Sequence, residues 1–198
     1  MSYPVSFEID YLAQRSRLTT FFRYLLAIPH FFFASFYMLA FLVVEIAAWC
    51  RLMVTGRWPT GLYEFSSGFL RYITRMTSYL ALGVDQYPPF NGADDAGYPV
   101  RVQIAPPLDH YSRLKVLFRP LYVILAILIR DLLGIVMFLV SLLSWLAIVV
   151  TGRQPASLQA ALSFALSYTV RADALLFLIT ETYPPFPESG AATPLRVA

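Results

Sequence analysis

Few side chains of this sequence have the chemistry to bind an ion or move a proton in an apolar environment. His30 and Glu45 lie within one long apolar run, and the pair Arg130-Asp131 interrupts a second one. Ionisable groups at membrane depth mark functional sites by default, so these four residues form a candidate intramembrane polar site. For Glu45, an ion pair with Arg51 near the end of the run is the simpler interpretation.

Catalysis is not predicted. The sequence has no G-x-S-x-G, H-E-x-x-H, P-loop or G-x-G-x-x-G motif. His30 and His110 lie in unrelated contexts, and Cys50 is the single cysteine, which excludes an intrachain disulfide. These residues do not make up a usual metal-ligand set. We therefore expect a protein that is not an enzyme and has no metal or cofactor.

The composition predicts a membrane protein. Of 198 residues, 58% are apolar and 14% are charged, and the mean hydropathy is +0.61. Soluble domains are about one quarter charged. The net charge of +3 comes from basic residues in ones and twos beside apolar segments. That pattern is typical of membrane anchoring, and it excludes the basic stripe of a nucleic-acid partner.

An internal repeat organises the chain. Most landmarks return after 96 residues: Arg23 as Arg119, Trp49 as Trp145, Thr55-Gly56-Arg57 as Thr151-Gly152-Arg153, Arg75 as Arg171, and Tyr87-Pro88-Pro89-Phe90 as Tyr183-Pro184-Pro185-Phe186. Tyr3-Pro4-Val5 returns after 95 residues, at Tyr98. We interpret the chain as repeat 1 (1–90), a polar linker (91–97), repeat 2 (98–186) and a flexible tail (187–198).

The order of these motifs resembles the bacterial membrane protein family catalogued as domain of unknown function 4389. The resemblance covers nearly the whole chain, once per repeat, and rests chiefly on Thr-Gly-Arg-x-Pro and Tyr-Pro-Pro-Phe. Repeat 1 also has Ile28-Pro29-His30, which repeat 2 lacks. The resemblance implies a membrane location. It implies no activity, cofactor or catalytic residue.

The expected fold is an all-α integral membrane protein with a small β-ribbon. Residues 3–9 and 98–104 alternate apolar and polar side chains, so we expect two strands that pair antiparallel on the cytoplasmic face. Each long apolar stretch, 18–54 and 114–150, exceeds one crossing of about 20 residues. We favour a helical hairpin turning near Ala34-Ser35 and Arg130-Asp131, which places the flanking arginines on the cytoplasmic side. The alternative is an interfacial helix followed by one span.

A second helix is predicted after each Thr-Gly-Arg turn. In residues 60–80, polar side chains recur at steps of three and four, so we expect this helix to lie in the interface with its polar stripe towards water. Its counterpart, 157–180, is more apolar, and either packs on repeat 1 or crosses the membrane. Five arginines are candidate contacts to lipid headgroups or a partner: Arg57, Arg71, Arg75, Arg153 and Arg171.

The functional expectation is a non-catalytic accessory or scaffold protein of the bacterial inner membrane. Its expected partners are membrane lipids and another membrane protein or complex, and a homo-oligomer is also compatible with the sequence. The surplus of aromatic residues suits packing against lipid or a membrane subunit. The alternative function is transport of a small molecule or lipid by an oligomer, because repeats with ionisable residues are common in transporters. A transporter is expected to have a polar cavity on the repeat axis.

Overall fold

The computed structural model describes residues 3–186, and the predicted tail therefore lies outside the described residues. Helices dominate, with one small two-stranded sheet. In chain order the elements are β1 (Val5–Ile9), α1 (Arg17–Phe21), α2 (Arg23–Leu26), α3 (Ile28–Thr55), α4 (Thr60–Leu80), β2 (Val100–Ile104), α5 (Arg113–Thr151) and α6 (Ala156–Leu176).

The predicted ribbon is confirmed, and its register shows how the repeats are related. β1 and β2 pair antiparallel, with Phe7 opposite Val102 at the centre. These two residues hold the same repeat position, since 95 residues separate them. A residue that pairs antiparallel with its own counterpart lies on a two-fold relation between the copies. The two repeats are therefore related by a pseudo-two-fold axis through the middle of the ribbon.

The helices form two layers along this axis. The ribbon packs on α4 and α6, with β2 on α4 and β1 on α6, so each strand lies on one helix of the middle layer. Helices α4 and α6 contact each other, and they carry α3 and α5 respectively on their other side. The order along the axis is thus ribbon, then α4 with α6, then α3 with α5.

The predicted hairpins are wrong. The chain continues as one helix through Ala34-Ser35 in α3 and through Arg130-Asp131 in α5. The Ser35 hydroxyl donates to the Phe31 carbonyl within the helix, at 2.8 Å, so it does not require a turn. The charge of Arg130 is met by a carboxylate of α6. Both long helices have the length and hydropathy of a membrane span.

A proline accounts for the boundary between α2 and α3, which repeat 2 lacks, but not for the boundary between α1 and α2 at Phe22. Residues 17–55 are divided into α1, α2 and α3, whereas the equivalent 113–151 form the single helix α5. Pro29 lies in the first turn of α3, where its missing N–H costs no hydrogen bond. Its equivalent is Leu125, which continues the helix.

Each Thr-Gly-Arg motif ends a long helix. Gly56 and Gly152 have φ of +68° and +72°, in the left-handed region that favours glycine. The hydroxyls of Thr55 and Thr151 each donate to a carbonyl one turn back, at 2.8 and 2.6 Å, and accept from the amide two residues on. The motif therefore encodes a helix stop, and its repetition reflects backbone geometry.

The polar stripe predicted for α4 to face water instead faces the protein interior. Thr74, Arg75 and Ser78 are buried, while Glu64 is exposed and Arg71 is intermediate. The reason is tertiary, because the ribbon and α6 cover this face. Helix α6 is also buried over much of its length, and its Gln159 donates to the Gly83 carbonyl of repeat 1 at 3.0 Å.

Candidate functional site

His30 belongs to an aromatic cluster. Its fully buried ring stacks on Phe90 with centroids 4.0 Å apart, and its Nδ1 lies 3.0 Å from the Tyr72 hydroxyl. His110 lies elsewhere, against Gly56. Within residues 3–186 no group of three or more His, Cys, Asp or Glu side chains could hold a metal ion. His30 therefore joins α3 to α4 and to the Tyr-Pro-Pro-Phe segment.

Two equivalent arginines join each long helix region to the second helix of its own repeat. Arg23 donates to the carbonyls of Tyr79 and Val84, each at 2.6 Å, and pairs with Asp85. Both carbonyls lie at or beyond the end of α4, where carbonyls have no amide four residues on within the helix to bind. Burial lowers the pKa of Arg23, and the Asp85 charge opposes that change.

Arg119 repeats this arrangement in repeat 2. It donates to the carbonyls of Leu175 and Thr180, which hold the same repeat positions as Tyr79 and Val84. Both arginines are almost fully buried. Their hydrogen bonds to backbone carbonyls make them structural residues of the fold.

The five candidate headgroup arginines fall into three sets. Arg57 and Arg153 are exposed at the ends of α3 and α5, where they are free to meet lipid headgroups or a partner. Arg71 donates to the Val102 carbonyl at 3.2 Å, so part of its hydrogen-bonding capacity is used within the protein.

Arg75 and Arg171 each lie against a tyrosine next to a ribbon strand. Arg75 is fully buried, so it cannot reach a headgroup, and that expectation is wrong for this residue. Its guanidinium lies 5.6 Å from the ring centroid of Tyr98, and burial lowers its pKa. Arg171, which is only partly buried, lies 5.8 Å from the ring centroid of Tyr3. Each arginine thus contacts the tyrosine that opens the strand of the other repeat.

Glu45 does not form the predicted ion pair with Arg51 among the described residues. Its carboxylate accepts a hydrogen bond of 2.8 Å from the Ser66 hydroxyl of α4. Six residues separate Glu45 and Arg51, which places them on different sides of a helix with 3.6 residues per turn. Glu45 therefore faces the protein and Arg51 faces outwards.

Arg130 meets a carboxylate that sequence reasoning did not assign to it. Its Nε lies 2.8 Å from Oδ1 of Asp173 in α6, whereas its neighbour Asp131 is 3.5 Å away. Asp173 is buried, and desolvation raises its pKa to about 6 against the opposing effect of Arg130. The only sequence signal for this pair is that both charges interrupt apolar helices.

These charges line a cavity of about 430 Å³ between α4, α5 and α6. Ile73 and Thr169 hold the same repeat position, and both line the cavity; so do the equivalent Thr77 and Asp173. A cavity lined by residues and their own counterparts lies next to the pseudo-two-fold axis. We call it the axial cavity.

Two apolar grooves lie between the long helices, away from this axis. The first groove, of about 420 Å³, is lined by Thr20, Phe21, Arg23, Tyr24, Leu80, Leu82, Phe138, Ser141, Leu142 and Trp145. The second groove, of about 460 Å³, is lined by Leu42, Glu45, Ile46, Trp49, Val116, Arg119, Pro120, Val123, Ile127, Leu176 and Leu178. Nearly all these side chains are equivalent at an offset of 96 residues, so the fold builds the same groove twice.

The grooves also show that the long helices run antiparallel. The end of α3 faces the beginning of α5 across the second groove, while α1 and α2 face the end of α5 across the first. The walls differ at polar positions, where Ser141 and Thr20 of the first groove are equivalent to Glu45 and Val116 of the second. Sequence reasoning missed both grooves, although the equivalent Trp49 and Trp145 are a signal that a shared environment exists.

Comparison with known proteins gives one family. A model of the family described as domain of unknown function (DUF4389) matches residues 17–91 and again residues 113–187. No curated protein and no solved structure matches the chain. Each match contains one set of long helices with the second helix that follows it. The two matches cover most of the sequence, and the chain therefore belongs to the DUF4389 family, with two tandem copies of its domain.

Proposed function

We propose that the protein is a non-catalytic accessory protein of the bacterial inner membrane, which holds lipid acyl chains in its two grooves and acts as a lipid-binding scaffold for a partner membrane complex. The observation that carries this proposal is the duplication of an apolar groove of ligand size between two helices with apolar outer faces. Sites for small ligands commonly have about 300–1,000 Å³ and mostly apolar walls.

The surroundings of the grooves favour an apolar chain over a polar substrate. Only 11% of the most apolar stretch of α3, and likewise of α5, is buried within the protein. Exposed apolar surface of this extent marks a membrane or protein contact. The arginines at the base of the grooves, Arg23 and Arg119, already donate to backbone carbonyls. A lipid chain entering from the bilayer would therefore meet leucine, isoleucine and tryptophan side chains.

Groove-filling variants test this function. Ile46 and Leu142 are equivalent residues that line opposite grooves, so Ile46→Trp and Leu142→Trp each fill one groove. Native mass spectrometry of the protein released from lipid nanodiscs should show two retained lipids for the wild type, one for either variant and none for the double variant. Val54→Trp, at an exposed position outside both grooves, is the matched control. Equal lipid retention in all variants would contradict the proposal.

Transport is the second candidate function, and the axial cavity favours it. The cavity lies next to the repeat axis and is lined by the ion pair of partly exposed Arg130 with buried Asp173, together with Thr77 and Thr169. Substrate sites of transporters with repeated structure lie at the interface of the repeats. If this function is correct, Asp173→Asn should abolish uptake into proteoliposomes while groove-bound lipid remains. If Asp173→Asn binds lipid normally and its uptake equals that of the wild type, transport through the axial cavity is contradicted and the accessory function remains.

A further inference from the structure

The position of the long helices relative to the axis restricts how the protein meets a membrane. Antiparallel helices related by a two-fold axis lie perpendicular to that axis. If α3 and α5 crossed the bilayer, the axis would lie in the membrane plane, at the depth of the helix centres. The ribbon lies on the same axis, so it would be held at mid-bilayer depth beside the helices.

The charges of the ribbon and linker oppose that arrangement. Arg101 binds Asp10 through two hydrogen bonds of 2.7 and 2.9 Å at the edge of the ribbon, and Asp94 and Asp95 of the linker are exposed. Charged groups in the bilayer core are costly. With the axis along the membrane normal instead, the ribbon and linker lie in water and α3 and α5 lie flat.

The length of α5 supports the flat arrangement. Its 39 residues extend for about 58 Å, against a hydrocarbon core of about 30 Å. Even at a tilt of about 40°, the upper end of the usual range, the helix would cover about 45 Å of depth. Apart from Asp131, whose side chain is 63% exposed, its outward side chains nevertheless remain apolar along most of the helix, and Leu114, Leu132 and Val150 are 68%, 63% and 70% exposed. A spanning helix would leave part of this surface in water.

Basic residues surround the apolar layer. Arg17 and Arg113 begin the two long helix regions, and Arg57 and Arg153 follow their ends, all four exposed. The acidic groups of the ribbon and linker lie at the other end of the axis. A basic rim around an apolar face matches the anionic headgroups and acyl chains of one leaflet.

We propose that α3 and α5 insert side by side into a single leaflet, parallel to the membrane plane, with the ribbon in water on the same side as both Thr-Gly-Arg turns. This inference rests on the membrane location in the proposed function and does not depend on lipid in the grooves. Helices that lie within one leaflet provide no path across the bilayer. This placement therefore also favours the accessory function over transport.

Depth measurement tests the placement. Leu114, Leu132 and Val150 are spaced by 18 residues, or five helical turns, so they share one face of α5 and lie about 27 Å apart along its axis. Each is replaced by cysteine in a Cys50→Ser background, spin-labelled, and reconstituted into vesicles of neutral and anionic phospholipid. Collision with oxygen and with a water-soluble nickel complex then reports the depth of each label. We expect three equal depths within one leaflet.

Sidedness gives a second measurement on the same protein. Arg57→Cys, Arg153→Cys and Gln103→Cys should all react with an impermeant maleimide that is added on one side of oriented vesicles. None of the three should react when the maleimide is added on the other side. Ser144→Cys, at a fully buried position, is the unlabelled control. A deep Leu132 label between shallow labels at positions 114 and 150, or labelling of Arg57→Cys and Arg153→Cys from opposite sides, overturns the proposal. Neither outcome affects lipid counts in the groove-filling experiment, so the two proposals fail separately.

Discussion

Arg23 and Arg119 perform the same structural task 96 residues apart, but among the described residues only Arg23 has a carboxylate partner, Asp85. The residue equivalent to Asp85 is Glu181, which accepts from the Ser112 amide at 2.6 Å and pairs with Lys115 at 3.6 Å. The carbonyls that the arginines bind lie at or beyond the ends of α4 and α6, where carbonyls have no amide four residues on within the helix to bind. The duplicated domain thus maintains the carbonyl contact and a carboxylate at the same position in both copies, and varies the basic side chain with which that carboxylate pairs.

Replacing either buried arginine by lysine should destabilise the protein. A lysine cannot reach two carbonyls with a planar fork, and hydrogen bonds from a charged donor contribute about 1.5–3 kcal/mol each. We expect Arg23→Lys and Arg119→Lys each to lower the free energy of unfolding by about 2–4 kcal/mol, as measured by denaturation in detergent. Exposed Arg153→Lys is the control and should change stability by less than about 0.5 kcal/mol.

Stability should depend on pH through Asp173. Burial raises its pKa from 3.8 to about 6, so the folded state holds this proton more tightly than the unfolded state does. The contribution is fully present below pH 4 and is lost as the pH rises through about 6. We expect a loss of about 1–3 kcal/mol across this window, and Asp173→Asn should remove it. Asp131→Asn, at a mostly exposed carboxylate, should retain the slope. Equal slopes in wild type and Asp173→Asn would show that another group titrates.

The linker should not tolerate a side chain at Gly92. A Cβ there would lie 2.3 Å from the Gly68 carbonyl oxygen, a backbone atom of α4 that cannot rotate away. Gly92→Ala should therefore lower the free energy of unfolding by about 1–3 kcal/mol and expose the linker to proteolysis. Gly61→Ala is the matched control, because nothing lies within 4 Å of its Cβ, and it should stabilise α4 by about 0.5–1 kcal/mol. Similar effects of both variants would contradict the close approach.

Exchanging the charges of the Glu8–Arg101 pair should recover part of the stability that is lost when Arg101 alone is replaced. Glu8 and Arg101 are directly paired in the register, 3.4 Å apart. Arg101→Glu removes the two hydrogen bonds to Asp10 and places like charges opposite each other, so it should cost about 1–3 kcal/mol. Adding Glu8→Arg restores one cross-strand pair, so the double variant should regain part of the loss when both are unfolded at low salt. If the double variant is no more stable than Arg101→Glu alone, the pair does not couple the strands.

Local features were predictable because short-range chemistry determines them. The alternation in residues 3–9 and 98–104 predicted the strands, since period two places apolar side chains on one face. The fixed offset between Trp49 and Trp145 predicted two copies of one domain, which the family matches confirm. The Thr-Gly-Arg motif predicted the end of each long helix, because glycine accepts the left-handed conformation required there.

Only the tertiary structure decided which polar side chains face water. The stripe of α4 has the spacing of an exposed face, yet Arg75 is buried because the ribbon packs on it. Arg130 does not require a hairpin turn, because Asp173 of α6, the second helix of the same repeat, pairs with its charge. The grooves were equally inaccessible, since their walls join residues about 70–120 positions apart along the chain. A sequence specifies periodicity and local backbone conformation, whereas the partner of each face depends on how the two repeats pack around their common axis.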